Sequence, residues 1–410
     1  MKKRLIALFA CVVLALGLLA GCGSSSSSDT TAAAEDTTAA AEDTSAAAEG
    51  DATEAAGDAA DAETLKAAID ETIASYQTAF PNGESAATEV TIDGTTYQKA
   101  DAEVVLSVTS HDPENCATGA FLDSWAADVI AASEGAIWPD ITYGGALAGP
   151  KDSWQAVQDG TVDIAWGLQS FYDGTFPLTE VFMLPLIDLG TAPEGSEAIW
   201  ETYKSSEAMQ AEYSAVHTLV LHVNCQSPVS LSSKSSVQKI ETVDDFAGLG
   251  IRGNAGPPQD FITALGASVE SCSINDLYSK LETAEMDGCL TDWHGIYAFN
   301  LDEVIASYLD ENIGVSTYFL VMNNDKYNSL TEDQQKILDE CSENALQYTS
   351  VWDEVEEGQK AIVESEGKLY TLSDDAHAAL QEVADGVIEA WKAESDANAT
   401  IYEAASKYFK

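Results

Sequence analysis

Basic residues are scarce in this 410-residue sequence. It has 18 lysines and arginines against 69 aspartates and glutamates, which gives a formal net charge of −51 at pH 7. Arg4 and Arg252 are the only arginines. Nucleic acids and anionic lipid surfaces bind proteins through positive patches, so this charge argues against both as partners. Any arginine that lines a cleft is conspicuous, because an anion must approach it against the field of the whole chain.

Long apolar runs are also nearly absent. The one that stands out extends from Leu5 to Leu19, and three basic residues precede it. It is shorter than the roughly 20 residues that a membrane-spanning helix needs, so residues 1–21 are predicted to be a signal peptide. The run ends in Leu-Ala-Gly-Cys at residues 19–22, which resembles the bacterial lipobox and predicts a lipid on Cys22. The alternative is an ordinary secretory peptide with an incidental cysteine.

Residues 23–62 lack lysine, arginine and aromatic residues altogether. A stretch of Ser, Thr, Ala, Gly and acids cannot bury enough apolar surface to offset its ordering entropy. Together with the lipidated Cys22, residues 22–62 are therefore predicted to form an acidic, disordered tether. Residues 63–100 follow as an N-terminal extension, with a helix near Leu65 to Phe80 and a hairpin through Asp93-Gly94.

Metal-binding and catalytic signatures are missing as well. Beyond Cys22 the cysteines form no C-x-x-C pair, and no histidine stands at metal-ligand spacing; they are Cys116, Cys225, Cys272, Cys289 and Cys341. We expect buried free thiols, although export permits disulfides, and we predict no metal and no cofactor. The sequence has no G-x-S-x-G elbow, phosphate loop or G-x-G-x-x-G turn, so we predict no enzyme activity. A lipid-anchored surface hydrolase remains an alternative.

What the sequence does have is an alternation of strands and helices. Short apolar runs such as Val104 to Val108 alternate with helical patterns such as Ala120 to Ala132 as far as Leu290. This alternation predicts βαβ units and parallel sheets. From Thr331 onward the pattern is almost entirely helical. Thr331 and Gln334 form a predicted capping box, and Ser373 is a second predicted N-cap.

Seven segments, in a consistent order, resemble the DctP-like solute-binding subunit of TRAP transporters, the tripartite ATP-independent periplasmic family for organic acids. The resemblance extends from about Val104 to Gln347. The segments are Gln158 to Ala165, Leu184-Pro185-Leu186, Asp244 to Arg252, Leu265-Gly266-Ala267, Tyr278 to Gly288, Glu303-Val304 and Val321-Met322-Asn323.

This resemblance implies a two-lobed, periplasmic-binding-protein-like α/β fold with mostly parallel sheets, crossover strands near Val223 and Asn312, and a long C-terminal helix. Lobe I is expected at 101–223 with about 313–350, lobe II at 224–312, and helices that brace both lobes at 351–410. It also implies a monomeric extracytoplasmic receptor that delivers an organic acid to TRAP membrane permease subunits. An ABC-type binding lipoprotein shares this architecture and stays an alternative.

Arg252 aligns with the family arginine that pairs with the ligand carboxylate. A guanidinium is planar and always charged, and it forks onto both carboxylate oxygens. The alternative is a surface arginine in an ion pair. Asn323 aligns with a polar residue near the family's pocket, although a structural hydrogen bond is an equal expectation.

Two departures from the family pattern matter. Many members carry a second cation after the first crossover, whereas Gln226 to Ser230 has none. This lowers the expectation of a dicarboxylate and favours a monocarboxylate with an apolar or aromatic body. Ala284 stands where the family has glycine.

Aromatic residues and histidines follow several predicted strands, where ligands bind in open α/β sheets. The candidates for ligand contact are Trp166, Tyr172, Trp293, His294 and His111. For each of them, core packing or a structural hydrogen bond is a comparable expectation.

Overall fold

The computed structural model describes residues 61–80, 83 and 87–410. The predicted signal peptide, the lipidation of Cys22 and most of the predicted tether lie outside these residues. Within them, no helix combines the length and the apolar character needed to cross a membrane.

Strands and helices alternate as the sequence pattern predicts. The strands are β1 Glu89–Ile92, β2 Thr95–Gln98, β3 Val104–Thr109, β4 Ile137–Thr142, β5 Ile164–Leu168, β6 His217–Gln226, β7 Val229–Ser232, β8 Gly250–Arg252, β9 Ser268–Glu270, β10 Gly288–Leu290, β11 Ile305–Leu309, β12 Val315–Met322 and β13 Leu369–Tyr370. The α-helices are α1 Ala62–Tyr76, α2 Ala117–Ala132, α3 Ser153–Gln158, α4 Ala192–Ser205, α5 Glu207–Glu212, α6 Pro257–Ala264, α7 Ile274–Glu282, α8 Trp293–Ala298, α9 Asn324–Asn328, α10 Glu332–Asn344, α11 Ser350–Ser365, α12 Asp374–Ala393 and α13 Asp396–Ala405.

Two sheets organise the chain into two lobes. The first sheet has the order β4-β3-β5-β12-β6, and the second has the order β13-β11-β7-β10-β8-β9. In the first, β3 pairs in parallel with β4 and β5, and in the second β8 pairs in parallel with β9 and β10. We call the parts around the first and second sheets lobe I and lobe II. The predicted two-lobed α/β architecture is confirmed.

The chain passes between the sheets close to the predicted crossovers. After β6 it enters the second sheet at Val229, and after β11 it returns to the first sheet at Val315. A third passage leads from α11 to β13. Because β6 and β7, like β11 and β12, are separated by only a few residues, small backbone rotations there can change the angle between the lobes.

The helical C-terminal region has the predicted caps. The side chain of Thr331 accepts from the N–H of Gln334, whose own side chain accepts from the N–H of Thr331. Ser373 caps α12. Helical structure begins where it was predicted, just after Thr331, but a 3₁₀ segment, Ala345–Thr349, divides it into α10 and α11. The hydroxyl of Thr349 donates to the carbonyl of Leu346, and such local bonds compete with regular α-helical geometry.

The last two α-helices contact both lobes. Leu380, Ala384 and Val387 of α12 pack in the apolar cluster of lobe II. Trp391, near the end of the same helix, and Ile401 in α13 belong to the larger cluster that contains the core of lobe I. The indole of Trp391 also donates to Glu180, at 3.2 Å.

The N-terminal extension is folded onto the rest of the molecule. The predicted hairpin is confirmed, with β1 and β2 antiparallel and the turn at Asp93-Gly94. Ile69 and Ile73 on α1 are buried in the core. This helix packs against α11 and α2, so it belongs to the folded body rather than to a tether.

Candidate functional site

A cleft of about 490 Å³ opens where strands of both sheets end. From lobe I it is lined by Lys151 and by Ser170 and Phe171, which follow β5. From lobe II it is lined by residues that follow β8 and β9, including Asn254 and Ser271. The carboxyl ends of parallel strands meet at this edge in each lobe, so the position agrees with the general rule for open α/β sheets.

Arg252 is the last residue of β8 and lines the cleft. Only 4% of its surface is exposed. Its Nη1 donates to the hydroxyl of Thr291, at 3.3 Å, just after β10. Within the described residues no carboxylate lies within ion-pair distance of this guanidinium, although the chain is rich in acids. A buried cation with one neutral partner is suited to an anionic ligand.

Behind Phe171, lobe I contributes a stack of aromatic rings. His111 meets the edge of Phe171 with a centroid distance of 5.3 Å and stacks on Trp166 at 5.2 Å. Trp166 in turn stacks on Tyr318 at 4.6 Å, and its indole donates to His222. Phe171 therefore forms the face of the cleft, while His111 and Trp166 support it from the interior.

Two other aromatic candidates are held by structural contacts. The hydroxyl of Tyr172 bonds to Ser153, to the N–H of Trp154 and to the carbonyl of Pro150, so it secures the loop before α3. Trp293 at the start of α8 is fully buried and packs on Tyr308. Neither is among the residues that line the cleft.

The structure does not bring Asn323 to the cleft. It follows β12 at the opposite edge of the first sheet, beside the start of β5. Its amide donates to the carbonyls of Val157 and Gln158, and its oxygen accepts from the N–H of Lys326. The amide group of Asn323 is therefore engaged in structural hydrogen bonds.

His111 and His294 are both buried next to carboxylates. Burial lowers the pKa of His111, and the neighbouring Asp112 opposes this only in part. Burial also disfavours the charged form of His294. There the interactions with Cys116, Asp292 and Asp112 prevail and raise the pKa of His294 well above its usual value.

Three buried groups lie together deeper between the lobes. Potential ligand atoms of Asp112, Cys116 and His294 are within 4.8 Å of one another. They are the one such group of His, Cys and carboxylate side chains in the described part of the chain. Sequence spacing gave no sign of it, because His294 belongs to lobe II and the other two residues belong to lobe I.

Sequence reasoning also missed Lys151 and Asn254. Lys151 stands in a loop before α3 and brings a second cation to the rim of the cleft, from a segment other than the one where the family carries it. Asn254 lies two residues after Arg252 and lines both the main cleft and a small cavity of about 30 Å³ that crossover residues such as Ser227 and Ile313 also line. The glycine-rich run after Arg252 was a usable signal for Asn254.

Comparison with known families agrees with this geometry. Residues 108–394 match the model of the DctP family, described as bacterial extracellular solute-binding protein, family 7. The chain belongs to this family. Members of the DctP family are solute-binding receptors of TRAP transporters, which work outside the cytoplasm.

Individual relatives are distant. A solute-binding protein of Albidiferax ferrireducens is 22% identical over 274 residues, which are 66% of this chain and 76% of the relative. Among solved structures, a TRAP solute-binding protein from a marine metagenome, an unidentified microbe, is 23% identical with a TM-score of 0.69. It is specific for aromatic acid ligands and holds 3-hydroxybenzoate; the match covers 75% of this chain and 98% of that one.

A TRAP solute-binding protein of Rhodoferax ferrireducens, in complex with copurified benzoate, is 22% identical with a TM-score of 0.66. The match covers 74% of this chain and 98% of that one. At these identities the solved structures establish the DctP fold for this chain, and the ligand has to be argued from the cleft.

Proposed function

We propose that this DctP-family protein is an extracytoplasmic receptor for a small organic acid, and that Arg252 binds the carboxylate of that acid. The observation that carries the proposal is the buried guanidinium with no carboxylate partner in the described part of the chain. In a chain with 69 acidic residues, an ion pair for this arginine would be easy to form.

The buried guanidinium of Arg252 has lost most of its hydration. Removing a charged group from water costs several kcal/mol, and a partner must supply that energy. Thr291 supplies one neutral hydrogen bond to Arg252. A carboxylate that accepts two parallel N–H bonds offsets the remainder, since charge-assisted bidentate bonds are about twice as strong as neutral ones. Arg252 therefore favours a carboxylate over a neutral solute of the same shape.

The walls of the cleft favour a monocarboxylate with an aromatic body. Phe171 presents an aromatic surface opposite the strand that ends in Arg252, and a ligand ring can pack against it. The volume of about 490 Å³ is in the range of small-molecule sites. Two structural neighbours hold 3-hydroxybenzoate and benzoate, which is consistent with this choice. Lys151 at the rim is exposed, so it contributes less to affinity than the buried Arg252.

Binding closes the lobes in this account. A ligand held by Arg252 from lobe II and Phe171 from lobe I interacts fully with both only when the cleft is shut, so it shifts the population toward the closed form. The closed form is then recognised by the TRAP membrane subunits. The crossovers at residues 226–229 and 309–315 provide the hinge.

Lipidation of Cys22 completes the proposal, because it keeps the receptor near its permease. A Cys22→Ala variant should leave the membrane fraction without loss of solute binding. If salt-washed membranes still retained the variant, the lipid anchor would be wrong while the binding function would stand.

A thermal-shift screen tests the function. Benzoate, 3-hydroxybenzoate and mandelate should raise the melting temperature in a concentration-dependent way, because a ligand that binds only the folded state stabilises it. Benzamide, which has the shape of benzoate without its charge, should have little effect. A larger shift with succinate or malate would correct the ligand class. No shift with any carboxylate, or an equal shift with benzamide, would overturn the proposed function.

A further inference from the structure

We propose that Asp112, Cys116 and His294 bind a divalent metal ion of the Zn²⁺ type that links the two lobes. Asp112 and Cys116 stand in the segment between β3 and α2, and His294 stands in α8 just after β10. This site is separate from the carboxylate-binding role of Arg252. It does not depend on which solute the cleft takes.

The geometry is close to that of a metal site. The three ligand atoms lie within 4.8 Å of one another, and the residues are 5%, 0% and 2% exposed, respectively. Zn²⁺ binds sulfur at about 2.3 Å and nitrogen or oxygen at about 2.0–2.2 Å, so ligands around one ion are roughly 3.3–3.6 Å apart. An ion would therefore need to draw these atoms together by about 1.5 Å at most.

The histidine has a ring nitrogen to offer. Nε2 of His294 accepts or donates no hydrogen bond among the described residues, although only 2% of the surface of this residue is exposed. Its Nδ1 lies 3.7 Å from Oδ1 of Asp292. A carboxylate on the other ring nitrogen is the usual arrangement for a metal-binding histidine, since it fixes the tautomer and orients the ring.

The other two ligands are positioned by contacts of their own. Thr118 donates to Oδ2 of Asp112, at 2.7 Å, which holds this carboxylate toward the start of α2. Cys116 is the N-cap residue of α2, and its side chain makes no capping hydrogen bond to the helix. Its Sγ–H donates to the carbonyl of Pro113, at 3.0 Å, and the thiol would give up this hydrogen bond when it loses its proton to bind a metal ion.

Charge and ligand type select the ion. A carboxylate and a thiolate together neutralise a divalent cation, and a neutral complex is far less costly to bury than an isolated charge. A set of sulfur, nitrogen and oxygen ligands suits Zn²⁺ or Co²⁺ and excludes Mg²⁺ and Ca²⁺, which prefer oxygen alone. The net charge of −51 also concentrates cations around the molecule. The bound ion would hold the lobes together at their base.

The test uses Co²⁺ as a spectroscopic probe on the chelator-treated, purified protein. We expect one Co²⁺ per chain and a near-ultraviolet thiolate-to-metal charge-transfer band, which Zn²⁺ then abolishes by displacement. Cys116→Ser should lose this band. Cys341→Ser, which alters another buried thiol of lobe I in α10, should retain it at full intensity.

His294→Gln provides a second variant, independent of the thiol. It should weaken Co²⁺ binding at least about tenfold while the circular dichroism of the folded protein is unchanged. The proposal is overturned if the wild-type protein shows no charge-transfer band, if Cys116→Ser retains the band, or if His294→Gln binds Co²⁺ as tightly as the wild type. Co²⁺ that binds only at exposed histidines gives no thiolate charge-transfer band, and this result would also overturn the proposal.

Discussion

Ala284 occupies a backbone position that suits glycine. It follows α7 with a φ of 61°, in the left-handed region, where the N–H groups of Glu285 and Met286 bond back to the carbonyl of Lys280. This is the usual geometry of a glycine-terminated helix, and a Cβ there costs roughly 1–2 kcal/mol. The family glycine at this position therefore has a conformational reason.

Ala284→Gly should raise the free energy of unfolding by about 1 kcal/mol, because the left-handed backbone is relieved at an exposed position. Urea denaturation measures the change. The control is Ala211→Gly in α5, also exposed but helical, which should lower the free energy of unfolding by about 1 kcal/mol. A loss of stability in both variants would show that Ala284 is not strained.

Glu180 is a buried carboxylic acid that makes the stability of the protein depend on pH. Burial raises the pKa of its carboxyl to about 7, with support from Glu394, Asp260 and Glu212, while the bond from Trp391 opposes the shift. In the unfolded chain the pKa returns to its ordinary value of 4.5. The folded state therefore binds this proton more tightly, and its contribution to stability is lost as pH rises from about 4.5 through 7.

Glu180→Gln should flatten this dependence, because a neutral amide can still accept the indole N–H of Trp391. We expect the melting temperature of the wild type to fall more between pH 5 and pH 8 than that of the variant. Glu197→Gln, at an exposed glutamate of α4, should keep the wild-type slope. Identical slopes in wild type and Glu180→Gln would refute the assignment.

At the scale of elements, α1 is joined to several other helices by side-chain hydrogen bonds. The hydroxyl of Tyr76 donates to Glu354 of α11, and Gln77 just after the helix donates to Asp123 of α2. Tyr297 of α8 donates to Asp70, and Lys66 donates to Asn300. One helix therefore contacts lobe I, lobe II and the connecting helix α11.

α1 and α11 approach each other closely at Gly358. A Cβ on Gly358 would lie 2.5 Å from Cγ1 of Ile69, which is buried in the core. Gly358→Ala should therefore lower the free energy of unfolding by about 1–3 kcal/mol through overpacking, although alanine favours a helix.

The matched control is Gly386→Ala in α12, where a Cβ meets nothing within 4 Å. This variant should gain up to about 1 kcal/mol from helix propensity alone. Chemical denaturation measures both. If Gly358→Ala were as stabilising as Gly386→Ala, the close packing of α1 on α11 would be wrong.

The elements that could be predicted from the sequence are those specified by residues close together in the chain. The capping box at Thr331, the N-cap at Ser373 and the turn at Asp93-Gly94 depend on residues within a few positions, and all three are confirmed. The break at Ala345–Thr349 was not predicted, because its residues are compatible with a helix and only their hydroxyl bonds distinguish it.

The site was predictable only in part, for a geometric reason. Arg252 lines the cleft because it ends a strand. Trp166 lies inside β5, where side chains point to the faces of the sheet, and the covering layers bury it completely. Groups brought together from both lobes, such as Cys116 and His294, have no signature in local spacing.

At the scale of the whole molecule, the negative net charge repels an anionic ligand, whereas Arg252 attracts it. A net charge of −51 repels an organic acid at long range, but salt screens this field within about 10 Å at 0.1 M. Inside the cleft the interaction with Arg252 is screened much less, because the guanidinium is buried. Affinity should therefore depend on this contact far more than on the overall charge.

The most direct test of this account is a calorimetric titration of the wild type and Arg252→Ala with the acid that gives the largest thermal shift. Removing one partner of a buried ion pair costs about 3–5 kcal/mol, which is roughly two to four decades in dissociation constant. Arg252→Lys should recover only part of the loss, because an ammonium cannot fork onto both oxygens. Lys234→Ala, which removes an exposed positive charge of lobe II outside the cleft, should bind like the wild type. Unchanged affinity in Arg252→Ala, or an equal loss in Lys234→Ala, would contradict the central role of Arg252.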